Sequence, residues 1–199
     1  EADIAATLAP FGPFFAGLGV RVLHYKCCST FDSAPEVGNL AVALTALRAS
    51  FPGAATPIVG GQPSLGRYCL FGHLFAAAGA AGEVHRIDRH PTMSRHPSTP
   101  MGEADLRLHL QAQGFGEIAA IPYPAYEDAA ALRARYVAAA GADAVLLDVS
   151  RQGDLAIVGA LLHDLARQAP LLTLGASSVA QALASGMRPA PAAAAPRGR

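Results

Sequence analysis

The 199-residue sequence is poor in charge and has no long apolar run, and each scarcity excludes a class of protein. Charged residues make up 15% of the chain, the formal net charge is zero and the pI is about 7.3, whereas nucleic-acid-binding domains usually carry a basic excess. No apolar run reaches the roughly 20 residues that cross a bilayer, and the first residues lack the basic region of a signal peptide. We therefore expect neither a nucleic-acid nor a membrane partner.

Cysteine is also scarce. The three cysteines, Cys27, Cys28 and Cys69, cannot all pair within the chain, and adjacent cysteines rarely form a bridge. This usage indicates a reducing, cytoplasmic location. A cation beside the adjacent pair would lower a thiol pKa and favour a nucleophile, but we favour inert packing at the end of a strand.

Lysine occurs only once, as Lys26, against 14 arginines. In a background this rich in arginine, a single lysine is either a chance survivor or a residue whose role arginine cannot perform. A compact ammonium and a broad, planar guanidinium make different contacts, so the second explanation has a physical basis. Composition alone leaves both explanations open.

Hydrophobic residues make up 52% of the sequence, which is enough for a buried core. Apolar runs predict strands at 20–25, 55–60, 117–123, 143–150 and 170–175. Helical spacing predicts helices at 3–18 (with a Pro-Gly interruption), 36–50, 105–113, 126–141, 154–168 and 176–186. This alternation predicts a three-layer, Rossmann-like α/β fold, with a mostly parallel sheet and helices on both faces. The pattern at 70–79 is ambiguous, and 83–102 shows neither period and is predicted to be a long loop.

The first candidate site is the loop KCCSTFDS at 26–33, which directly follows the strand at 20–25. In parallel sheets ligands bind beyond the carboxyl ends of the strands, so its side chains are candidates for substrate binding. A cation suits a carboxylate or phosphate, while hydroxyls and a carboxylate suit sugar hydroxyls. The candidates are Lys26, Ser29, Thr30, Asp32 and Ser33. The alternative is a polar turn in which Ser33 caps the next helix.

A second polar loop, GQPSLGRY at 61–68, follows the strand at 55–60 and is expected to open on the same edge of the sheet. Its glycines permit close approach of the backbone to a ligand, and Arg67 offers a fork that fits a carboxylate or a phosphate. The spacing matches neither a P-loop nor a dinucleotide fingerprint, and a surface turn with a solvated arginine explains it equally well.

The segment RIDRHPTMSRHPSTPM at 86–101 combines arginines and histidines with stiffening prolines. Two His-Pro pairs six residues apart suggest a metal site, but neither HExxH nor a Cys/His zinc pattern is present. Nearby acidic and thiol ligands are sparse, so we predict no metal. We favour a basic loop that steers an anion or packs on a partner domain, with Arg89, His90, Arg95 and His96 as its charged or titratable residues.

These stretches, together with LLTLGASSVAQAL at 171–183, resemble the four-carbon acid sugar kinase family. Members show a lysine with a Cys-Ser-Thr-Phe-Asp-Ser run, then a Pro-x-x-Gly-Arg loop and a His-Pro-x-Thr-Pro-Met loop, and all three occur here in that order. The resemblance implies an ATP-dependent kinase that phosphorylates threonate, erythronate or a 3-oxo-tetronate at its 4-hydroxyl. It places Arg67 on the family's second loop, and it places five residues on the substrate-binding loop: Lys26, Ser29, Thr30, Asp32 and Ser33. The catalytic base stays unassigned.

The resemblance also implies two parts that this sequence does not match. The family begins with an Ala-Asp-Asp-x-Thr-Gly motif, and it continues into a C-terminal domain that binds ATP with Mg²⁺. We therefore expect residues 1–186 to form a sugar-acid-binding domain that is incomplete at its N-terminus, followed by a disordered, Pro- and Ala-rich tail at 187–199. Because the chain begins at Glu1 rather than at methionine, we expect a fragment. The sequence shows no phosphate-cradling glycine loop joined to a helix N-terminus, so we expect this chain alone neither to bind ATP nor to turn over a sugar acid.

The expected partners are then a sugar acid, the nucleotide-binding domain and, as an open alternative, a second copy of the chain. A stand-alone, non-catalytic module for small anions is the alternative function. A metal-dependent hydrolase that uses His90 and His96 is a third interpretation, which elemental analysis distinguishes.

Overall fold

The computed structural model describes residues 2–79 and 82–187. Within these ranges the helices are Ala2–Leu8 (α1), Phe11–Gly17 (α2), Leu40–Arg48 (α3), Leu106–Gln111 (α4), Ala129–Ala138 (α5), Asp154–Gln168 (α6) and Ser177–Gly186 (α7). The strands are Val22–Lys26 (β1), Pro57–Gly60 (β2), Arg67–Leu70 (β3), His73–Ala77 (β4), Val84–Arg86 (β5), Ile118–Ile121 (β6), Ala144–Asp148 (β7) and Leu171–Gly175 (β8). Of the predicted tail at 187–199, all but the first residue lies outside the described residues.

Five strands form one parallel sheet in the order β1-β8-β2-β7-β6. Every residue of β7 and β8 is buried, as expected for central strands that are covered on both faces. At the carboxyl ends, Lys26 lies beside Gly175 and Gly60 lies beside Asp148. The predicted α/β fold with a parallel sheet and helices on both faces is confirmed.

The helices cover the two faces of the sheet over separate apolar cores. Leu44 of α3 and Leu110 of α4 belong to the first core, together with the partly buried Leu8 of α1. Leu162 of α6 and Val179 of α7 belong to the second core, which α5 also covers. Neighbouring helices thus bury their apolar stripes against opposite sides of the same strands, and this produces the three layers.

The strands β1 and β8 are neighbours, yet the chain leaves them toward opposite faces of the sheet. After β1 it continues to α3 on the first face, and after β8 it continues to α7 on the second. Such a divergence opens a crevice at the carboxyl ends of the two strands. In open α/β sheets, this topological switch point is where ligands bind.

The chain between β2 and α4 forms a second sheet of three antiparallel strands, β3-β4-β5, which the sequence did not predict. The ambiguous segment 70–79 contains β4, and the predicted long loop at 83–102 contains β5 and two 3₁₀ turns. Within the chain between β2 and α4, the side chains of Cys69, Leu74 and Ile87 are buried in the first core, on the same face of the large sheet as α3. These strands are only three to five residues long.

The packing of α6 on α7 leads to a prediction about Gly159. A Cβ atom at this position would overlap the Ala182 carbonyl oxygen, which belongs to the backbone of α7. Alanine in a helix interior is normally more stable than glycine by about 1 kcal/mol. Here Gly159→Ala should instead lower the free energy of unfolding by about 1–3 kcal/mol, because the two helices must move apart. Urea unfolding measures this change.

Gly17→Ala is the matched control, since nothing lies within 4 Å of a Cβ atom built at Gly17 in α2. This variant should be as stable as the unaltered protein or slightly more stable. If Gly159→Ala behaves in the same way, the close approach of α6 to α7 is wrong.

Candidate functional site

The carboxyl ends of the parallel strands place polar residues and glycines along one edge of the sheet. Lys26 ends β1, Gly175 ends β8, Gly60 ends β2 and Asp148 ends β7, in the order in which the strands lie. The loops that follow β1 and β2 therefore open on the same edge, as the sequence predicted. Lys26 and Gly175 lie on the two strands that flank the crevice.

The loop after β1 contains most of the predicted substrate-binding residues. Lys26 is exposed at the end of the strand, and Ser29 and Asp32 are half-buried. Thr30 is buried, and its hydroxyl donates a hydrogen bond to the Asp32 carboxylate. The loop thus offers an exposed ammonium together with a carboxylate that a neighbouring hydroxyl orients. Such groups suit an anion and sugar hydroxyls, respectively.

Ser33, by contrast, belongs to a buried hydrogen-bond network. Its hydroxyl donates to the Phe31 carbonyl (2.9 Å), accepts from the Gln113 amide (2.8 Å) and lies 3.0 Å from Nε2 of His109. These contacts fasten the second half of the loop to α4. The alternative in which Ser33 caps the next helix is wrong, because its hydroxyl is used within the network and Asn39 caps α3.

Two of the three cysteines are structural. Cys27 is buried, and burial raises the pKa of its thiol to about 12. Cys69 is buried completely, and burial followed by the nearby Asp148 carboxylate raises the pKa of its thiol well above the ordinary value. Both thiols are protonated near neutral pH, so neither acts as a nucleophile. Cys27 packs as a small apolar side chain, and the Cys69 thiol donates to the Asp148 carboxylate. Cys28 is exposed.

Arg67 lies at the start of β3 rather than in the loop where the sequence placed it. The loop forms a 3₁₀ turn at Pro63–Leu65, and Gly66 ends it in the left-handed conformation with φ of 68°. The half-buried Arg67 guanidinium donates to the Leu65 carbonyl. Its Nε is buried and has no hydrogen-bond partner among residues 2–79 and 82–187.

The two histidines of the His-Pro segment hold turns of that segment. His90 is buried, and its Nδ1 accepts the backbone N–H groups of Thr92 (3.2 Å) and Met93 (3.1 Å). Nδ1 of His96 accepts the backbone N–H of Thr99 at 3.2 Å. A nitrogen that accepts a hydrogen bond carries no proton, so these atoms are not available to donate to an anion.

The exposed cations of the same segment are arginines. Arg95 is exposed, and the largely exposed Arg89 lies 3.8 Å from the Asp88 carboxylate. Anion steering by Arg89 and Arg95, with His90 and His96 in the same loop, stays a prediction. In the described part of the chain, no group of three or more His, Cys, Asp or Glu side chains is arranged to hold a metal ion. No helix of that part is long and apolar enough to span a membrane.

A carboxylate that sequence analysis did not single out organises the middle of the edge. Asp148, at the end of β7, is fully buried and accepts the backbone N–H groups of Phe71 (2.6 Å) and Gly72 (3.1 Å). It also accepts the Cys69 thiol at 3.3 Å and lies 3.4 Å from the Tyr123 backbone nitrogen. Asp148 therefore ties the β3–β4 turn to the large sheet. The sequence feature that could have indicated this role is a single carboxylate at the end of an otherwise apolar strand.

Comparison with known proteins places this geometry in a family. Residues 1–183 match the model of the sugar-binding N-terminal domain, and the chain belongs to that family. It is 45% identical to a 3-oxo-isoapionate kinase of Paraburkholderia graminis over 187 aligned residues, and this alignment covers 94% of this chain and 38% of that protein. It is 32% identical to a 3-oxo-tetronate kinase of Cupriavidus necator over 173 aligned residues, and this alignment covers 85% of this chain and 37% of that protein.

The fold is also similar to that of a solved structure that is longer than this chain. A crystal structure of a Salmonella typhimurium LT2 protein, provisionally named a tRNA synthase, superposes with a TM-score of 0.70 at 32% identity and covers 84% of this chain and 38% of that one. The resemblance to four-carbon acid sugar kinases is therefore confirmed, and the curated relatives are kinases. The chain spans a little under two fifths of the length of these relatives, at 38% and 37%.

The burial of Asp148 leads to a prediction. In Asp148→Asn an amide NH₂ replaces one carboxylate oxygen and faces backbone N–H donors, so at least one buried donor loses its partner. We expect the free energy of unfolding to fall by about 2–4 kcal/mol, as measured by urea unfolding. Asp164→Asn is the control, because that carboxylate forms exposed ion pairs with Arg133 and Arg167, and its loss should hardly change stability. Equal effects of the two substitutions would contradict the role of Asp148.

The network around His109 predicts how stability depends on pH. Burial lowers the pKa of His109 below its ordinary 6.5, so the folded protein keeps a neutral imidazole where the unfolded chain binds a proton. The resulting stability is present above pH 6.5 and is lost as the pH falls below it. We expect His109→Gln, which keeps a donor for the Phe31 carbonyl, to show a shallower loss of melting temperature between pH 7 and pH 5.

Burial also lowers the pKa of His24, so part of the slope should persist in His109→Gln. The double substitution of His24 and His109 should flatten the profile further. A His109→Gln profile parallel to that of the unaltered protein would show that His109 is not the group that resists protonation.

Proposed function

We propose that this chain is the sugar-acid-binding portion of an ATP-dependent kinase that phosphorylates a 3-oxo sugar acid at its 4-hydroxyl. The observation that carries the proposal is the position of Lys26 at the switch point between β1 and β8, in a domain of the sugar-binding N-terminal family. An exposed ammonium beside this crevice suits the carboxylate of a small sugar acid.

The rest of the loop after β1 supplies groups for the sugar hydroxyls. Asp32 is half-buried and oriented by Thr30, so its carboxylate can accept hydrogen bonds from two hydroxyls at once. Ser29 is half-buried in the same loop and offers both a donor and an acceptor. The buried Ser33 supports the loop from behind rather than contacting the substrate.

The phosphoryl donor, ATP with Mg²⁺, is on this proposal bound by a separate nucleotide-binding domain. The curated relatives are more than twice as long as the matched region, at 38% coverage, which leaves room for such a domain. Phosphoryl transfer depends mainly on positioning and on charge stabilisation. The described domain would therefore position the acceptor hydroxyl. Three unpaired cysteines suit a cytoplasmic kinase.

The choice of substrate follows the two relatives. Identity to the 3-oxo-isoapionate kinase is 45%, against 32% to the 3-oxo-tetronate kinase, so 3-oxo-isoapionate is the first acid to test. We expect calorimetric titration of the 199-residue chain to detect binding of at least one of these two acids and no binding of ATP. Failure of both acids to bind would contradict the proposal. Binding without phosphorylation in the longer protein would favour a non-catalytic anion-binding module.

Lys26 provides the sharpest test of the site. A guanidinium is broader than an ammonium and differently hydrated. In the complete two-domain enzyme, Lys26→Arg should therefore lower kcat/KM for the preferred acid at least tenfold, about 1.4 kcal/mol. In the 199-residue chain the same change should weaken binding of the acid. The melting temperature should hardly move, because a charge swap outside the core usually changes stability by less than ~0.5 kcal/mol.

Arg135→Lys on α5 is the matched control, because it makes the reverse exchange at an exposed position far along the chain from the strand-end loops. Its kinetics and its affinity for the acid should not change. If a folded Lys26→Arg protein also keeps normal kinetics and affinity, the single lysine is an accident of composition.

A further inference from the structure

Two polar side chains lie next to each other at the turn that follows β2. The Gln62 N–H donates to the Arg67 carbonyl (2.8 Å), and the Arg67 N–H donates to the Gln62 carbonyl (3.2 Å). Residues that exchange both hydrogen bonds in this way are directly opposite, and their side chains point to the same face of the pair. The Gln62 and Arg67 side chains therefore leave the backbone on the same face of the turn, although Oε1 of Gln62 and Nε of Arg67 form no hydrogen bond with each other.

The fold leaves one polar atom of each side chain without a hydrogen-bond partner among the described residues, although the Arg67 guanidinium also donates to the Leu65 carbonyl. Gln62 is only 4% exposed, and its Oε1 is buried without a hydrogen-bond partner in the described ranges. Nε of Arg67 is in the same condition. A buried polar group without a partner costs free energy, whereas an apolar side chain of the same shape does not. Two such groups that leave the same face of one turn and do not bond to each other indicate a ligand that supplies the missing partners.

The position of this pair matches the candidate site. Gln62 follows Gly60 and Gly61 at the carboxyl end of β2, the strand next to β8. Gly61 has a φ of 96°, and a Cβ atom there would overlap the Val149 carbonyl oxygen. The turn is therefore held in close contact with the chain that follows β7, and Gln62 is held near the centre of the edge.

We propose that Gln62 is a substrate-binding residue that acts together with Arg67 on adjacent oxygen atoms of the sugar acid, an inference that rests on the proposed function. The guanidinium donates to a carboxylate or keto oxygen, and the amide accepts from the neighbouring hydroxyl. A half-turn about the Cγ–Cδ bond exchanges the amide oxygen and nitrogen, so Gln62 can instead donate to a neighbouring carboxylate or keto oxygen of the acid. Such a donor and acceptor pair selects acids that carry a hydroxyl or keto group next to the bound oxygen.

The substitution Gln62→Met separates a binding role from a structural one, because methionine keeps the length of the side chain but removes both hydrogen-bonding atoms. If Gln62 serves the substrate, the affinity for the preferred 3-oxo sugar acid should fall at least tenfold in calorimetry. The melting temperature of the free protein should stay the same or rise, because an unsatisfied buried amide has been removed.

Gln181→Met is the matched control. The Oε1 of Gln181 is also buried without a partner among the described residues, but it lies within α7 rather than at a strand end. This variant should bind the acid with unchanged affinity. A tenfold loss in Gln181→Met as well would show that the effect does not belong to the pair at the turn.

Unchanged affinity in Gln62→Met would overturn the inference, and a lowered melting temperature in that case would assign Gln62 to the fold. If the unaltered chain binds neither 3-oxo acid, the proposed function fails and this inference fails with it. If it binds and Gln62→Met binds equally well, only this inference fails.

Gln62→Glu keeps the test decisive if Gln62→Met does not fold. Glutamate keeps the shape and an acceptor, but its charge pairs with Arg67 and repels the carboxylate of the acid. We expect at least a tenfold loss of affinity together with an unchanged or higher melting temperature. Normal affinity in Gln62→Glu would overturn the inference as well.

Discussion

The buried carboxylate of Asp148 is the contact on which the arrangement of the two sheets depends. A carboxylate removed from water is stable only when hydrogen-bond donors replace the solvent, and here backbone N–H groups of the β3–β4 turn and one thiol do so. The turn must therefore lie against the end of β7. It also places Phe71 in a left-handed conformation, with φ of 52°, next to Tyr123. The small sheet is thereby attached to the edge where the candidate site lies.

The loop after β1 has a rigid half and an accessible half. Ser33, His109 and Gln113 join the rigid half to α4 through buried hydrogen bonds. Lys26 and Asp32 belong to the accessible half, at the crevice. Because the network holds the backbone, the loop fixes where the proposed binding side chains lie, and the Thr30 hydroxyl orients the Asp32 carboxylate.

Between the two proposed groups of binding residues lies a position without a side chain. Gly175 separates Lys26 on β1 from the turn after β2, since β8 lies between these strands. A Cβ atom there would come within 2.8 Å of both the Val179 side chain and the Val59 carbonyl oxygen. The glycine thus allows α7 to begin close to the sheet and leaves the edge open between an ammonium on one side and the Gln62–Arg67 pair on the other.

The sequence by itself determined the parts of this protein that depend on local pattern. Apolar runs located every strand of the large sheet. Because parallel strands share a carboxyl edge, the sequence also predicted that the loops after β1 and β2 lie on the same edge. The motifs around Lys26, Arg67 and His96 sufficed to identify the family. These features need only neighbouring residues, so a single sequence contains them.

Only the tertiary structure decided the second sheet, the buried anchor and the use of particular side chains. Asp148 and Phe71 are 77 residues apart, and Ser33 and Gln113 are 80 apart, so no local pattern links them. The partners of Ser33 are also distant in the sequence, so its buried hydrogen bonds could not be predicted, and the sequence offered a cap on the next helix as the alternative instead. Gln62 became a candidate only when the structure showed its buried amide oxygen without a partner among residues 2–79 and 82–187. Hydrogen bonding between distant residues depends on how the chain packs, and packing leaves no periodic signal in the sequence.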